Sequence, residues 1–130
     1  SDKMCALASL HTGKAVLHLR VADMEFDDVF DGIWACAILG HFSPQEVKSA
    51  MEKILKALKE DGILYFSVRK GDRNGRYNGR YFYDYDREAL NDLLDSFSNI
   101  KVLDIWKTSD VRADKSNRWF NVLLRKEKQD

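Results

Sequence analysis

Proline and cysteine are both scarce in this sequence of 130 residues, which holds a single Pro, at position 44, and two Cys, at positions 5 and 36. Two cysteines on different predicted elements exclude a disulfide-stapled scaffold and a thiolate metal cluster. They suit two buried thiols in a reducing compartment, and no metal site is expected. Neither sign of charge is in excess: 21 basic and 21 acidic side chains cancel. No whole-molecule field therefore draws the chain to nucleic acid or an anionic membrane, and any polyanion site has to be local. Long apolar runs are missing too. The run over residues 33–39 is far shorter than the roughly 20 residues a membrane helix needs, and no basic-then-apolar leader opens the sequence. The expectation is a soluble, cytoplasmic chain with no membrane partner, one domain in size and large enough for a real core.

What is present alternates between helix and strand patterns. Residues 2–11 place Met4, Leu7, Ala8 and Leu10 at spacings that predict a short helix, with Thr12-Gly13 as its stop. Residues 15–21, rich in Val and Leu, read as a strand. After an acidic loop over residues 23–28 comes the apolar run of residues 30–39, the pattern of a central parallel strand covered on both faces. Ser43-Pro44-Gln45-Glu46 is a helix start, with Ser43 and Glu46 placed to form a capping box and Pro44 where its missing N–H costs nothing. Val47, Met51, Ile54, Leu55 and Leu58 give that helix a buried stripe to about Lys59, and Asp61-Gly62 ends it. Residues 63–68 predict a strand, residues 69–79 a polar interruption, and Asp86 the cap of a helix striped by Leu90, Leu93, Leu94 and Phe97. Residues 100–106 and 119–125 predict a closing antiparallel pair. The fold class is α/β, with no repeat and no low-complexity tract.

Two features carry chemistry on their own terms. His41 follows the apolar strand, where a histidine can orient or deprotonate a nucleophile; His11 and His18 have no evident partners. The interruption over residues 69–80 sets Arg69, Lys70, Arg73, Arg76 and Arg80 against the single acid Asp72. Tyr77, Tyr81, Phe82, Tyr83 and Tyr85 are interleaved with it or follow directly. Such a segment can be a lid over a small substrate, a plain solvated loop, a grip on phosphates and bases, or a contact for a partner protein.

Several stretches resemble the class I S-adenosylmethionine-dependent methyltransferases. Ser1-Asp2-Lys3-Met4 followed by Ala8 is similar to the opening of the helix after that family's second strand. Val21-Ala22-Asp23-Met24 resembles the loop after the third strand, and Phe30-Asp31-Gly32-Ile33-Trp34-Ala35-Cys36-Ala37 the fourth strand. Leu58-Lys59-Glu60-Asp61-Gly62-Ile63-Leu64 is similar to the family's Leu-Lys-Pro-Gly-Gly-x-Leu stretch, with Glu60 and Asp61 departing from it. Gly79-Arg80-Tyr81-Phe82, Arg118-Trp119 and Asn121 look closest to small bacterial methyltransferases of small molecules.

The resemblance implies a Rossmann-like sheet ending in an antiparallel hairpin, and a transferase acting on a small molecule with S-adenosyl-L-methionine as cofactor. It implies that Asp23 accepts from the adenine amino group, that the Met24 amide reads the ring, and that Trp34, Ala35 and Cys36 line the cofactor site. Arg80, Tyr81 and Tyr83 would contact substrate, and His41 would act on it. The family's glycine-rich donor loop and the acid ending its second strand have no counterpart here; Gly71, Gly75 and Gly79 come after the fifth strand. Two strands that belong between the third and fourth are thus expected to be lacking, as in a domain cut at its N-terminal side. Binding of cofactor is doubtful on this reading, and methyl transfer by these residues alone is expected to be slight. The bared edge of the fourth strand should be covered by a second copy, by a complementing chain, or by a rearranged N-terminal segment. Nucleic acid is an unlikely partner.

Overall fold

The computed structural model describes residues 4–10, 15–35, 42–112 and 115–128. Its main sheet has six strands in the order β2-β1-β3-β4-β8-β7, with a separate ribbon, β5-β6. The strands are β1 (Cys5–Leu10), β2 (Ala15–Arg20), β3 (Phe30–Ala35), β4 (Leu58–Lys70), β5 (Asn74–Tyr77), β6 (Arg80–Tyr83), β7 (Ile100–Arg112) and β8 (Lys115–Lys126). The helices are α1 (Pro44–Ala57) and α2 (Arg87–Asp95). β3 and β4 run parallel, joined through α1, while β8 is antiparallel to β4 and β7 to β8. The alternation and the closing antiparallel pair are as the sequence implied, and the pair extends through residues expected to form a loop.

The N-terminal segment is a strand, not a helix. β1 lies antiparallel to both β2 and β3, with Ala8 opposite Leu17 on one side and Ile33 on the other. The helical spacing in this segment competes with a period of two: Ala6 and Ala8 are buried and Leu7 between them is half exposed. Hydrogen-bonding groups along the inner edge of β3 need partners, and that demand outweighs a weak local preference for helix. Of the three ways expected to cover the edge, the rearranged N-terminal segment is the one observed. One antiparallel strand fills the slot where the resemblance places two parallel ones.

β3 departs from expectation as well, because only one of its faces is covered. Ile33 and Ala35 are fully buried, whereas Trp34 is 55% exposed; residues 36–40 lie outside those described. The covered face gathers Leu64, Phe66 and Val68 of β4 and Phe120, Val122 and Leu124 of β8. Val47, Met51, Ile54 and Leu55 of α1 and Leu90, Leu93 and Leu94 of α2 pack on it. Burying each such aliphatic or aromatic side chain contributes about 1.5–3 kcal/mol.

α1 starts as its sequence dictates. Ser43 Oγ accepts from the Glu46 amide at 3.2 Å, and Glu46 accepts the Ser43 amide at 3.0 Å. The helix ends at Ala57, before Asp61-Gly62, and β4 begins at once. Asp61, at φ 68°, occupies the irregularity where the β3–β4 register slips between Phe30 and Gly32. A Cβ at Gly62 would stand 2.8 Å from the Lys59 carbonyl, which accounts for glycine there. α2 is capped by Asp86, whose carboxylate accepts from the Ala89 amide at 2.8 Å.

Candidate functional site

Because β1 is antiparallel to both neighbours, β2, β3 and β4 all point the same way. Ligands in open α/β sheets gather at the carboxyl ends of such strands. β2 ends there in a 3₁₀ turn, Val21–Asp23. The turn is pinned twice: the Val21 amide donates to the Met4 carbonyl at 2.7 Å, and Lys53 Nζ of α1 donates to the Ala22 carbonyl at 2.9 Å. A cleft of about 250 Å³ opens between this turn and α1, lined by Val21, Ala22, Glu46, Ser49 and Lys53 among others. A second, of about 290 Å³, lies between the start of α1 and α2, lined by Pro44, Lys48, Tyr83, Tyr85, Asp92 and Leu93 among others. The first turns of α1 thus separate two clefts. A third, of about 410 Å³, includes Asp28, Lys56, Phe97 and Lys126 and lies at the opposite end of the sheet.

The residues singled out from sequence are only partly brought together. Asp23 stands at the first cleft's margin, its carboxylate 2.8 Å from Arg20. Both side chains are more than half exposed, so the pair adds little to stability. The Met24 side chain is buried in the core. Its amide, the group expected to read an adenine ring, already donates to the Val21 carbonyl at 3.0 Å. Ala35 is buried at the end of β3, about 10 Å from the end of β2 on the spacing of two strands. Trp34 points to the sheet's other face. Cys36 and His41 lie outside the described residues.

Tyr83 lines the second cleft, its ring 5.0 Å from that of Tyr85, while Arg80 and Tyr81 sit further out on β6. Burial pushes the Tyr85 phenol well above the usual tyrosine range, with Tyr83 and Tyr81 adding to the effect. Its hydroxyl has no hydrogen-bond partner among the described residues.

Sequence reasoning missed two structural holders of this end of the sheet: Lys53 and Asp84. Asp84 is buried and accepts from the Arg73 backbone amide at 3.1 Å and from Arg73 Nε at 3.0 Å. A signal for it was legible, since an acid embedded among tyrosines and followed by a helix cap needs a cationic partner, and arginines abound just before it.

The adenine-reading amide is engaged, Asp23 is paired with Arg20, and the slot beside β3, from which a donor loop would spring, holds β1. Among the described residues, no helix is long and apolar enough to cross a membrane.

The family model described as "Methyltransferase domain" matches residues 1–66. No curated protein matches the chain. Among solved structures, the 1,6-didemethyltoxoflavin-N1-methyltransferase of Burkholderia thailandensis, with bound 1,6-didemethyltoxoflavin and S-adenosylhomocysteine, is similar at 22% identity and a TM-score of 0.64, over 85% of this chain and 49% of its own. A SAM-dependent methyltransferase from Methanosarcina mazei is similar at 15% identity and a TM-score of 0.70, over 85% of this chain and 66% of its own. The N-methyltransferase NodS of Bradyrhizobium japonicum with S-adenosylhomocysteine is similar at 16% and 0.61, over 85% of this chain and 53% of its own. The chain therefore spans about half to two thirds of the length of these proteins, and at such identities the likeness speaks for the fold. With a family model matching just over half its residues and this sheet order, the chain belongs to the methyltransferase domain family and carries the Rossmann-like fold of class I S-adenosylmethionine-dependent methyltransferases.

Proposed function

We propose that these residues form the acceptor side of a domain that transfers a methyl group from S-adenosyl-L-methionine to a small molecule. The observation that carries this reading is the convergence of the β2 turn, the end of β3, the start of α1 and Tyr83 at one end of the parallel strands. Methyl transfer depends chiefly on aligning donor and acceptor, and this end supplies clefts of small-molecule size rather than a dense catalytic set. In this proposal Asp23 and the Val21–Asp23 turn border the donor, and His41 and Tyr83 face the acceptor, with Arg80 and Tyr81 further out on the same strand. A cytoplasmic setting suits the free thiol of Cys5.

These residues alone lack the glycine-rich loop and are expected to bind donor weakly. Isothermal titration with S-adenosyl-L-methionine should show no saturable heat; a saturable isotherm would contradict the donor-poor half of the proposal. Mutating Asp23 in a longer protein that contains this sequence should raise the KM for donor, and an unchanged KM would remove Asp23 from the site.

A second reading is favoured by the open sheet face: a non-catalytic subunit that associates with a second copy or with a complementing chain. With β1 covering the edge of β3, association would use the face that presents Trp34 rather than that edge. A strictly monomeric mass by light scattering would eliminate the second copy.

A further inference from the structure

The basic, aromatic-rich segment is not a loop. Residues 74–83 form the two-stranded ribbon β5–β6, closed by Asn78 and Gly79, both with positive φ, 52° and 78°. This is the two-residue turn whose twist matches paired strands. The ribbon is rooted rigidly. The Asp84 carboxylate holds Arg73 through its backbone amide, Nε and Nη2, and Arg69 Nε lies 3.6 Å away. The Asp84 amide donates to the Arg73 carbonyl at 2.7 Å, and a Cβ at Gly71 would collide with the same carboxylate.

Register decides what each face of the ribbon shows, because directly opposed residues share a face. Tyr77 opposes Arg80 and Gly75 opposes Phe82, so these four lie on one face, with Arg76 and Tyr81 on the other. On the first face Tyr77 is 45% exposed and meets Phe82 at 6.3 Å. The Arg73 guanidinium lies 3.9 Å from the Phe82 ring centroid. Gly75 adds no side chain, and nothing stands within 4 Å of where its Cβ would be. The result is an open slot beside an exposed tyrosine. Arg76 and Arg80 are exposed and form no ion pair among the described residues, and at the ribbon's root Lys70 and Arg118 face each other across β4 and β8.

A lid would close over a cavity and swing on a loose base. This ribbon has a fixed base, and of its residues only Tyr83, at its foot, lines one of the clefts described above. An exposed ring beside unpaired cations can hold a single strand, a base stacking and phosphates neutralised. We propose that the β5–β6 ribbon is a docking arm for single-stranded nucleic acid. Bases stack on Tyr77 in the slot above Gly75, and the backbone phosphates meet Arg80 on the same face, with Lys70 and Arg118 at the root. The zero net charge of the chain confines this binding to the arm.

The test is fluorescence anisotropy of the 130-residue chain with labelled oligothymidylate and oligouridylate of about 12 nucleotides, in about 20 mM salt and upward. Binding is expected, with a log–log salt slope of about −2 for three neutralised phosphates. Tyr77→Ala should weaken it about tenfold without changing the slope. The double variant Arg80→Ala/Arg118→Ala should reduce the slope to about a third. All three side chains are exposed, so circular dichroism should show the variants folded. Absence of binding at low salt, or binding indifferent to these variants, overturns the proposal. So does equal competition by a mononucleotide, which points to a small anionic ring as ligand, or by polyglutamate, which points to charge alone.

Discussion

The two faces of the one sheet differ sharply. Along β3 and β4, alternate residues supply Ile33, Ala35, Leu64 and Phe66 to the helix-covered face, and Trp34 and Tyr65 to the other. The open face carries an apolar and aromatic row, from Leu7, 47% exposed, through Trp34 and Tyr65 to Trp106. Ring centroids are 5.8 Å apart between Trp34 and Tyr65 and 5.9 Å between Tyr65 and Trp106. A partly parallel sheet is ordinarily helix-clad on both sides. Here both described helices lie on one side, so stability is concentrated there, and among the described residues the opposite side leaves this row partly exposed.

The contrast can be broken most severely on the covered side. Phe66→Ala should cost about 3–5 kcal/mol, read as a loss of most or all of the thermal transition; a loss under about 1 kcal/mol would mean that the covered face is not the core. The helix that provides the cover depends on its first turn. Ser43→Ala should cost about 1 kcal/mol in chemical denaturation, and no change would mean the capping box is not formed in solution.

Tyr85, beneath the second cleft, sharpens the comparison through pH. Its folded-state pKa is raised, so the folded chain keeps a proton that the unfolded chain releases. Stability is therefore unaffected below about pH 10 and falls as pH rises beyond it. Tyr85→Phe removes a buried hydroxyl with no partner among the described residues, so it should raise stability by up to about 1 kcal/mol and flatten the alkaline decline. A destabilised Phe variant would show that the hydroxyl has a partner.

On the open face, Trp34→Lys should change stability by no more than about 0.5 kcal/mol while lowering the binding of a hydrophobic dye. A large loss of stability would show that this face is packed.

How much of this was legible depended on whether local pattern and tertiary demand agreed. The capping box at Ser43, the stripe of α1 and the cap at Asp86 are local, and the sequence foretold each of them. β1 was misread because Met4, Leu7, Ala8 and Leu10 fit a helix as well as Met4, Ala6 and Ala8 fit a strand, and only the open edge of β3 breaks the tie. Trp34 was assigned to a ligand site by resemblance, yet its face depends on strand parity together with which helices are present. The ribbon escaped notice because its glycines and charges look like a loop, although Asn78-Gly79 is a hairpin signal. The capture of Arg73 by Asp84 joins residues whose meeting needs that hairpin first.

The account turns on β1 standing as a strand between β2 and β3. Nuclear Overhauser contacts across the strands test this directly. The structure predicts cross-peaks from Ala8 to both Ile33 and Leu17. Helical i,i+3 cross-peaks running from Met4 to Leu10, with no contact between Ala8 and Ile33, would contradict it.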